Sequence, residues 1–530
     1  MPDAKRPNVL ILMSDEHSYR FLSHRQGYPD AEPVRTPSLD ALARAGVYFD
    51  RAYTQMPLCT PARMCFMTGR YAYRCGALGN GAVLDPAIPT LPAHFAAHGY
   101  ATCLVGKMHF GGSLQFHGFQ YRPYGDFGGA PSHQPDPIVK RAAEGGGMRS
   151  RTRDAGVTTI PESLLQEQAV VRESLAFLRE QAARAPGQPW LLCASFSRPH
   201  FPLTAPRRYF ERWWPHGVTP PKVARTGDTV DHPMTVGMRR GFRVDEIGPE
   251  EGRRARAAYF ACVEYLDEVI GDFLACLGRS GLLENTIVVY VTDHGEMAGE
   301  HGLWWKNTWH EASVRIPLIF QLPEHREGTL PGGTRTDAAG IIDIFPTLCG
   351  AAGLPVPAGV DGVDLRIAEG RTVLDAAEPR LISEALLPRW GPGSEFRVAL
   401  CGRYKYVAFR AMPELLFDLQ ADPDEQRNLL KEGDAAVPAE ARPALERLRA
   451  AVREGFDWDE TTRRLREEQE RLKARYPKRT AAAGPNQYLL PDGRMVEAET
   501  TLYRPHIVEE DPAADFDDFP VSHGAEAPAG

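Results

Sequence analysis

Four short apolar runs, each closing on an acid, a lysine or a histidine, constrain this chain more than any other feature. Val9-Leu10-Ile11-Leu12-Met13 leads into Ser14, Asp15 and Glu16. Tyr100 to Val105 turns at Gly106 into Lys107, Met108 and His109. Trp190 to Phe196 ends in Arg198-Pro199-His200, and Thr286 to Thr292 ends in Asp293-His294-Gly295. Continuous apolar runs of this length mark strands buried on both faces, as in a parallel sheet. Ligands of open α/β sheets bind beyond the C-terminal strand ends, so the four polar endings are expected to meet there.

Helical patterns lie between the runs. Thr36-Pro37 through Gly46 supplies a cap, a first-turn proline, an apolar stripe and a glycine stop. Leu164 to Arg184 and Arg254 to Leu277 carry apolar residues at helical spacing. Strands alternating with helices predict an α/β fold, a large, mostly parallel sheet sandwiched by helices. The composition shifts after Pro355-Val356-Pro357. Leu381 to Ser383, Phe396 to Leu400, Tyr404 to Val407 and Glu414 to Leu419 read as short antiparallel strands, followed by charged helices near Ala439 to Glu454 and Glu460 to Tyr476.

At 530 residues the chain exceeds one ordinary core. The expected divisions are 1–375 for the large α/β domain, 376–480 for the small antiparallel sheet with helices, and 481–530 for an extended tail. Gly125 to Gly147 and Trp213 to Gly248 read as long loops. Tyr488, Leu489, Leu490, Tyr503, Ile507 and Phe519 give the tail anchors to pack along a neighbouring subunit; a loose end is the alternative. A homo-oligomer is expected on the first reading.

The 61 basic and 69 acidic residues leave a net charge of −8, with no block of one sign in the body of the chain. Nucleic acid is therefore not an expected partner. The nine cysteines are scattered and odd in number, which suits reduced core residues. Val9 to Met13 is too short for a signal segment, and no run reaches the roughly 20 apolar residues of a membrane span. The expectation is a cytoplasmic protein without a membrane partner.

Leu58-Cys59-Thr60-Pro61-Ala62-Arg63 has the pattern C-x-P-x-R, with Thr68-Gly69-Arg70 a turn later. Thr60 can cap and Pro61 can begin a helix, which would put Cys59 at a helix N-terminus, where anions are favoured. Alone, the pattern equally describes a helix start with a buried thiol.

Together with the trailing T-G-R, the motif resembles the signature of the sulfatase family in the alkaline phosphatase superfamily. Leu416-Phe417-Asp418-Leu419 running into Asp422-Pro423-Asp424-Glu425 is similar to the small C-terminal sheet of that family. The Asp-His pair and Glu16 place the likeness nearest the choline sulfatase and phosphonate monoester hydrolase subgroup. The resemblance implies an alkaline phosphatase-like fold with a catalytic domain at 1–375. It also implies a formylglycine derived from Cys59, made by a formylglycine-generating enzyme.

The metal ligands so implied are Asp15, Glu16, Cys59, Asp293 and His294. Carboxylates after strands suit one hard divalent ion, and the histidine nitrogen admits manganese as well as calcium. Lys107 and His109 match the family's K-x-H, His200 a histidine facing the leaving group, and Lys306 a lysine touching sulfate. Asn80 resembles a substrate-holding asparagine, although Asn-Gly is also a common turn.

The implied activity is hydrolysis of a small sulfated substrate at its S–O bond. One hydroxyl of the hydrated aldehyde attacks sulfur, and His200 or Lys306 protonates the leaving oxygen. Arg63, Lys107 and Lys306 hold charge on the equatorial oxygens, and His109 takes a proton as sulfate is expelled. Phosphonate monoester or phosphodiester hydrolysis by the same groups is the near alternative. A metal-dependent anion-binding protein without formylglycine is the alternative of another class. Trp304, Trp305, Trp309, Trp213, Trp214, Tyr71 and Tyr73 could form a cation–π pocket for a quaternary ammonium such as choline sulfate, but ordinary packing is the expectation.

Overall fold

The computed structural model describes residues 6–126, 150–370, 373–477, 487–489 and 495–497. Its centre is β1 (Asn8–Asp15), whose side chains from Val9 onward are buried. With α1 (Pro37–Ala45), β2 (Val47–Phe49) and α2 (Cys59–Thr68), it forms the N-terminal part of the large layer. There follow β3 (Ala101–Gly106), β4 (Tyr121–Gly125), α3 (Gln166–Arg184), β5 (Trp190–Pro199) and α4 (Pro249–Arg279). The layer is completed by β6 (Thr286–Thr292), β7 (Leu318–Gln321) and β8 (Gly333–Arg335).

These strands make one eight-stranded sheet in the order β8-β2-β7-β6-β1-β5-β3-β4. The five from β6 to β4 run parallel, and β7 is antiparallel to both neighbours. The four apolar runs are therefore adjacent strands, all ending at one edge. The register of β1 against β5 slips between Met13 and Asp15, pairing Asp15 with Pro199. This irregularity sets His200 beside Asp15, and the His200 N–H donates to the Asp15 carbonyl at 3.0 Å.

Gly106 shows why β3 must end as it does. It has φ +103°, and a Cβ there would lie 1.9 Å from the Ser195 carbonyl oxygen on β5. Only glycine lets the chain turn Lys107 toward β1 at so close an approach.

The small sheet follows, with β9 (Arg380–Ala385), β10 (Phe396–Cys401), β11 (Tyr404–Phe409) and β12 (Leu415–Asp418) antiparallel in chain order. Then come α5 (Arg442–Arg453) and α6 (Trp458–Arg475). Residues up to Thr480 form one compact unit, and Ala481–Gly530 a second. In the second unit, Gln487–Leu489 pairs antiparallel with Met495–Glu497. Of the expected tail anchors, Leu490, Tyr503, Ile507 and Phe519 lie outside the described residues, as does most of the expected loop from Gly125 to Gly147.

The region from Trp213 to Gly248 contains a ten-residue helix, Pro233–Phe242, where a loop was expected. Its glycines serve packing: a Cβ on Gly237 would meet the Trp390 carbonyl at 1.9 Å, and one on Gly241 the Trp390 ring at 2.9 Å. All nine cysteines are free, and all but Cys276 are buried. No helix among the described residues is long and apolar enough to cross a membrane.

Candidate active site

Helix α2 starts earlier than the Thr60-Pro61 pair suggested. Leu58 is the residue before its first turn and Cys59 is the first helical residue, with no side-chain cap of its own. The cap comes from a distant turn: Asn80 Oδ1 accepts from the Thr60 N–H at 3.1 Å. The Thr60 hydroxyl lies in reach of the carbonyls of both Asn80 and His109. A cap supplied from twenty residues away leaves no local sequence signal, which explains the displaced start. Every residue of α2 is buried, so Cys59 projects from a rigid element into the strand-end cavity.

Cys59 Sγ lies 3.3 Å from His294 Nε2 and 3.9 Å from Asp15 Oδ1. Burial opposes ionisation of this thiol, but Lys306, Lys107 and His294 together bring its pKa well below the ordinary thiol value, with His109 in hydrogen-bond reach. The cavity thus favours negative charge at position 59.

Arg63 reaches both aspartates. Its Nε donates to Asp293 Oδ2 at 2.9 Å and its Nη2 to Asp15 Oδ2 at 2.8 Å. Its Nη1 reaches the Lys107 carbonyl and Ser195 Oγ. Through these bonds Arg63 braces the two aspartates. One turn of helix from Cys59, it fixes the carboxylates against the nucleophile position.

The two aspartates differ in their surroundings. Burial raises the Asp15 carboxyl, yet Lys107 at 2.5 Å, His200 and Arg63 hold it below the ordinary carboxylate range. For Asp293 burial outweighs Arg63, and its carboxyl is pushed up to about 6. His294 is raised to about 9 despite burial, chiefly by Asp293. Its Nδ1 donates to the Gly295 carbonyl, so Nε2 is the nitrogen that faces the aspartates and Cys59.

Ligand-capable atoms of Asp15, Cys59, Asp293 and His294 all lie within 4.8 Å of one another. Two carboxylates, an imidazole lone pair and one further position suit a divalent cation, and the sharing of a buried space by two acids favours one. Glu16 falls outside this group and joins Asp15 and His200 in a second one. It has φ +66°, its Oε2 accepts from Lys306 Nζ at 2.7 Å, and its Oε1 is buried without a hydrogen-bond partner among the described residues. Burial pushes its carboxyl up to about 7, against Lys306 and His200.

His200 Nε2 lies 3.3 Å from Glu16 Oε2, while its Nδ1 donates to the Phe201 carbonyl at 2.7 Å. Burial, Lys107 and Lys306 lower its pKa. His109 takes φ +56°, its backbone N–H donates to Asp126, and its Nδ1 is buried without a partner among the described residues. Trp305 and Asn307, either side of Lys306, also have positive φ. Such strain at four non-glycine positions around one cavity is characteristic of functional sites.

The structure thus gathers Asp15, Glu16, Cys59, Arg63, Lys107, His200, Asp293, His294 and Lys306 around one cavity, with His109 against Cys59. Asn80 is exposed at the end of α2 with its side-chain oxygen engaged as a cap. Sequence reasoning missed the supports of the Lys306 loop. Trp390 Nε1 donates to the Asn307 carbonyl at 2.7 Å, and buried Lys405 donates to the Trp309 carbonyl and to Glu311. Both come from the small sheet region, which therefore positions a residue of the large layer. Trp213, Trp304, Trp305 and Trp309 are buried, as packing predicts.

A family model described as Sulfatase matches residues 7–354. The chain is 33% identical over 463 residues to a choline-sulfatase of Rhizobium meliloti, covering 84% of this chain and 86% of that protein. It is 29% identical over 385 residues to an arylsulfatase of Clostridium perfringens, covering 68% and 78% respectively. The phosphonate monoester hydrolase of Agrobacterium radiobacter shares its fold, with TM-score 0.69 at 24% identity, over 94% of this chain and all of that one.

Proposed function

The chain belongs to the sulfatase family and is a sulfuric ester hydrolase, and we propose that it cleaves sulfate monoesters with a formylglycine derived from Cys59 and one divalent cation. The observation that carries this reading is the position of Cys59. It lies at the first turn of a buried helix, in hydrogen-bond reach of His109, among two lysines and the Asp15, Asp293 and His294 group.

Asp15, Asp293 and His294 would hold the cation. The cation would act as a Lewis acid there, and a hydrated aldehyde at position 59 would supply the nucleophilic hydroxyl and a second hydroxyl beside it. The remaining work falls to the chain's own side chains. Lys107 and Lys306 already favour negative charge at position 59, and the same ammonium groups bind and orient the sulfate. Arg63 keeps the two carboxylates in place throughout.

His200 is the acid for the leaving oxygen. Its Nδ1 proton is committed to Phe201, so the Nε2 proton of the charged ring is the one it can give. His109, in hydrogen-bond reach of position 59 and with a nitrogen unpaired among the described residues, takes the proton that accompanies sulfate release. Maturation of Cys59 is assigned to a formylglycine-generating enzyme, because turning a thiol into an aldehyde is an oxidation outside a hydrolase's chemistry.

Phosphonate monoester hydrolysis is the second reading, favoured by the fold shared with phosphonate monoester hydrolases. The two are separated by assaying purified enzyme on aryl sulfate and aryl phosphonate monoesters. Sulfate turnover should have the higher kcat/KM; dominant phosphonate turnover overturns the proposal.

A further inference from the structure

The basic groups that face position 59 most closely all have acid partners: Arg63 on Asp15 and Asp293, Lys107 on Asp15, and Lys306 on Glu16. Two arginines farther out have none among the described residues. Arg151, from the short helix Ser150–Arg153, places its Cζ 3.4 Å from the centre of the Phe201 ring and 5.6 Å from that of Trp305. Lys306 Nζ lies 5.6 Å from the same Phe201 ring, and Phe201 packs against His200 with ring centres 4.0 Å apart. Arg151 therefore borders the groups expected to meet the leaving half of the ester.

Arg389 approaches along the same aromatic wall. Its Cζ is 5.0 Å from the Trp390 ring and 5.9 Å from Phe242, whose ring lies 4.6 Å from Trp305. Neither arginine forms an ion pair with a carboxylate among the described residues, although Glu16 acts on Arg151 from farther off. Burial lowers the pKa of both guanidinium groups, that of Arg151 to about 10, and negative charge at position 59 acts on both. A partly desolvated cation with no direct ion pair is costly, and an anion placed against it recovers that cost.

The same geometry disfavours a cationic substrate. The aromatic faces at the site that could cradle a quaternary ammonium carry the chain's own guanidinium groups: Arg151 on Phe201 and Trp305, and Arg389 on Trp390. A substrate cation there would meet like charge at close range.

We propose that the alcohol half of the substrate carries a second anionic group, a carboxylate or a further sulfate, bound by Arg151 and Arg389 beside the sulfate pocket. The proposal rests on the sulfatase reading for the position of the first anion. It sets this chain apart from the choline-sulfatase it is similar to, whose name gives a substrate with a cationic alcohol half.

The test uses sulfonates, whose C–S bond offers no ester to cleave. Titration calorimetry on the metal-loaded full-length enzyme compares benzenesulfonate, para-sulfobenzoate, para-benzenedisulfonate and para-trimethylammonio-benzenesulfonate. At least one dianion should bind about tenfold or more tighter than benzenesulfonate, the gain expected of a charge-assisted contact. The tighter dianion identifies the second group as carboxylate or sulfate. The preference should shrink in Arg151→Ala and Arg389→Ala and persist in part in Arg151→Lys. Equal affinity for all, tighter binding of the trimethylammonio compound, or a preference unchanged in both alanine variants overturns the proposal. If a variant does not fold, the wild-type comparison decides alone. Failure of the wild type to hydrolyse para-nitrophenyl sulfate would instead overturn the sulfatase reading, and the sulfonate comparison would still decide this one.

Discussion

Arg63 Nε donates to Asp293 Oδ2 at 2.9 Å, with both side chains almost wholly removed from solvent. The same guanidinium reaches Asp15, so one side chain on the nucleophile helix locks the ends of two neighbouring strands. A buried ion pair is costly to break from one side, because the partner's charge is left uncompensated. Arg63→Ala should destabilise the fold by about 3–5 kcal/mol, read from denaturant unfolding. Arg63→Lys should recover only part, since an ammonium cannot span both carboxylates in the same geometry. Full stability in the alanine variant would refute the bracing role.

Removal of the cation should be visible in stability as well as turnover. Asp15 and Asp293 share one buried space with His294, and a cation held there binds the folded state alone. Dialysis against a chelator should abolish turnover and lower Tm, and restoring calcium or manganese at a hundredfold excess over Kd should return about 3 kcal/mol. A Tm indifferent to either ion would argue against the site.

The support of the Lys306 loop by Trp390 can be tested with little disturbance of packing. Trp390→Phe keeps an aromatic ring against Phe242 but deletes the N–H that donates to the Asn307 carbonyl at 2.7 Å. Stability should fall by about 1 kcal/mol, and kcat should fall several-fold more than KM rises, because Lys306 loses its fixed position. Unchanged kcat would show that the loop holds itself.

A pH-dependent term comes from Asp267 on α4. It accepts hydrogen bonds from the backbone N–H groups of Ser38 and Leu39 at the start of α1, yet burial prevails and pushes its carboxyl from 3.8 up to about 7. The folded state therefore holds a proton that the unfolded chain has already lost between these values. The stabilisation is fully present at low pH and is lost as pH rises through the folded value, by about 1 kcal/mol per pH unit within that window. Denaturant unfolding of wild type and Asp267→Asn across this range should show the wild-type advantage shrinking as pH rises. A constant difference would contradict it.

Much of the site was legible because the sheet writes it in a readable form. Asp15, Lys107, His200 and Asp293 follow apolar runs that can only be buried parallel strands, and parallel strands end at one edge. The start of α2 was not legible, since its cap is Asn80 and local grammar pointed instead to Thr60. The helix Pro233–Phe242 was hidden by Gly237 and Gly241, whose small size answers to Trp390, about 150 residues away in sequence and unseen by any local pattern. Arg63 is a related case: spacing put it near Cys59, but only the fold shows that both aspartates lie within its reach. That Arg151 and Arg389 have no ion pair among the described residues is likewise a fact of space alone.

The most direct test of the central claim couples the mass of position 59 to turnover. Enzyme prepared with graded co-expression of a formylglycine-generating enzyme would be measured by intact mass, where conversion of the Cys59 thiol lowers the mass by about 18 Da, and by hydrolysis of para-nitrophenyl sulfate. Specific activity should rise in proportion to the converted fraction and extrapolate to zero at none, with Cys59→Ala folded and inactive. Activity independent of that fraction, or turnover by wholly unconverted protein, would contradict the account.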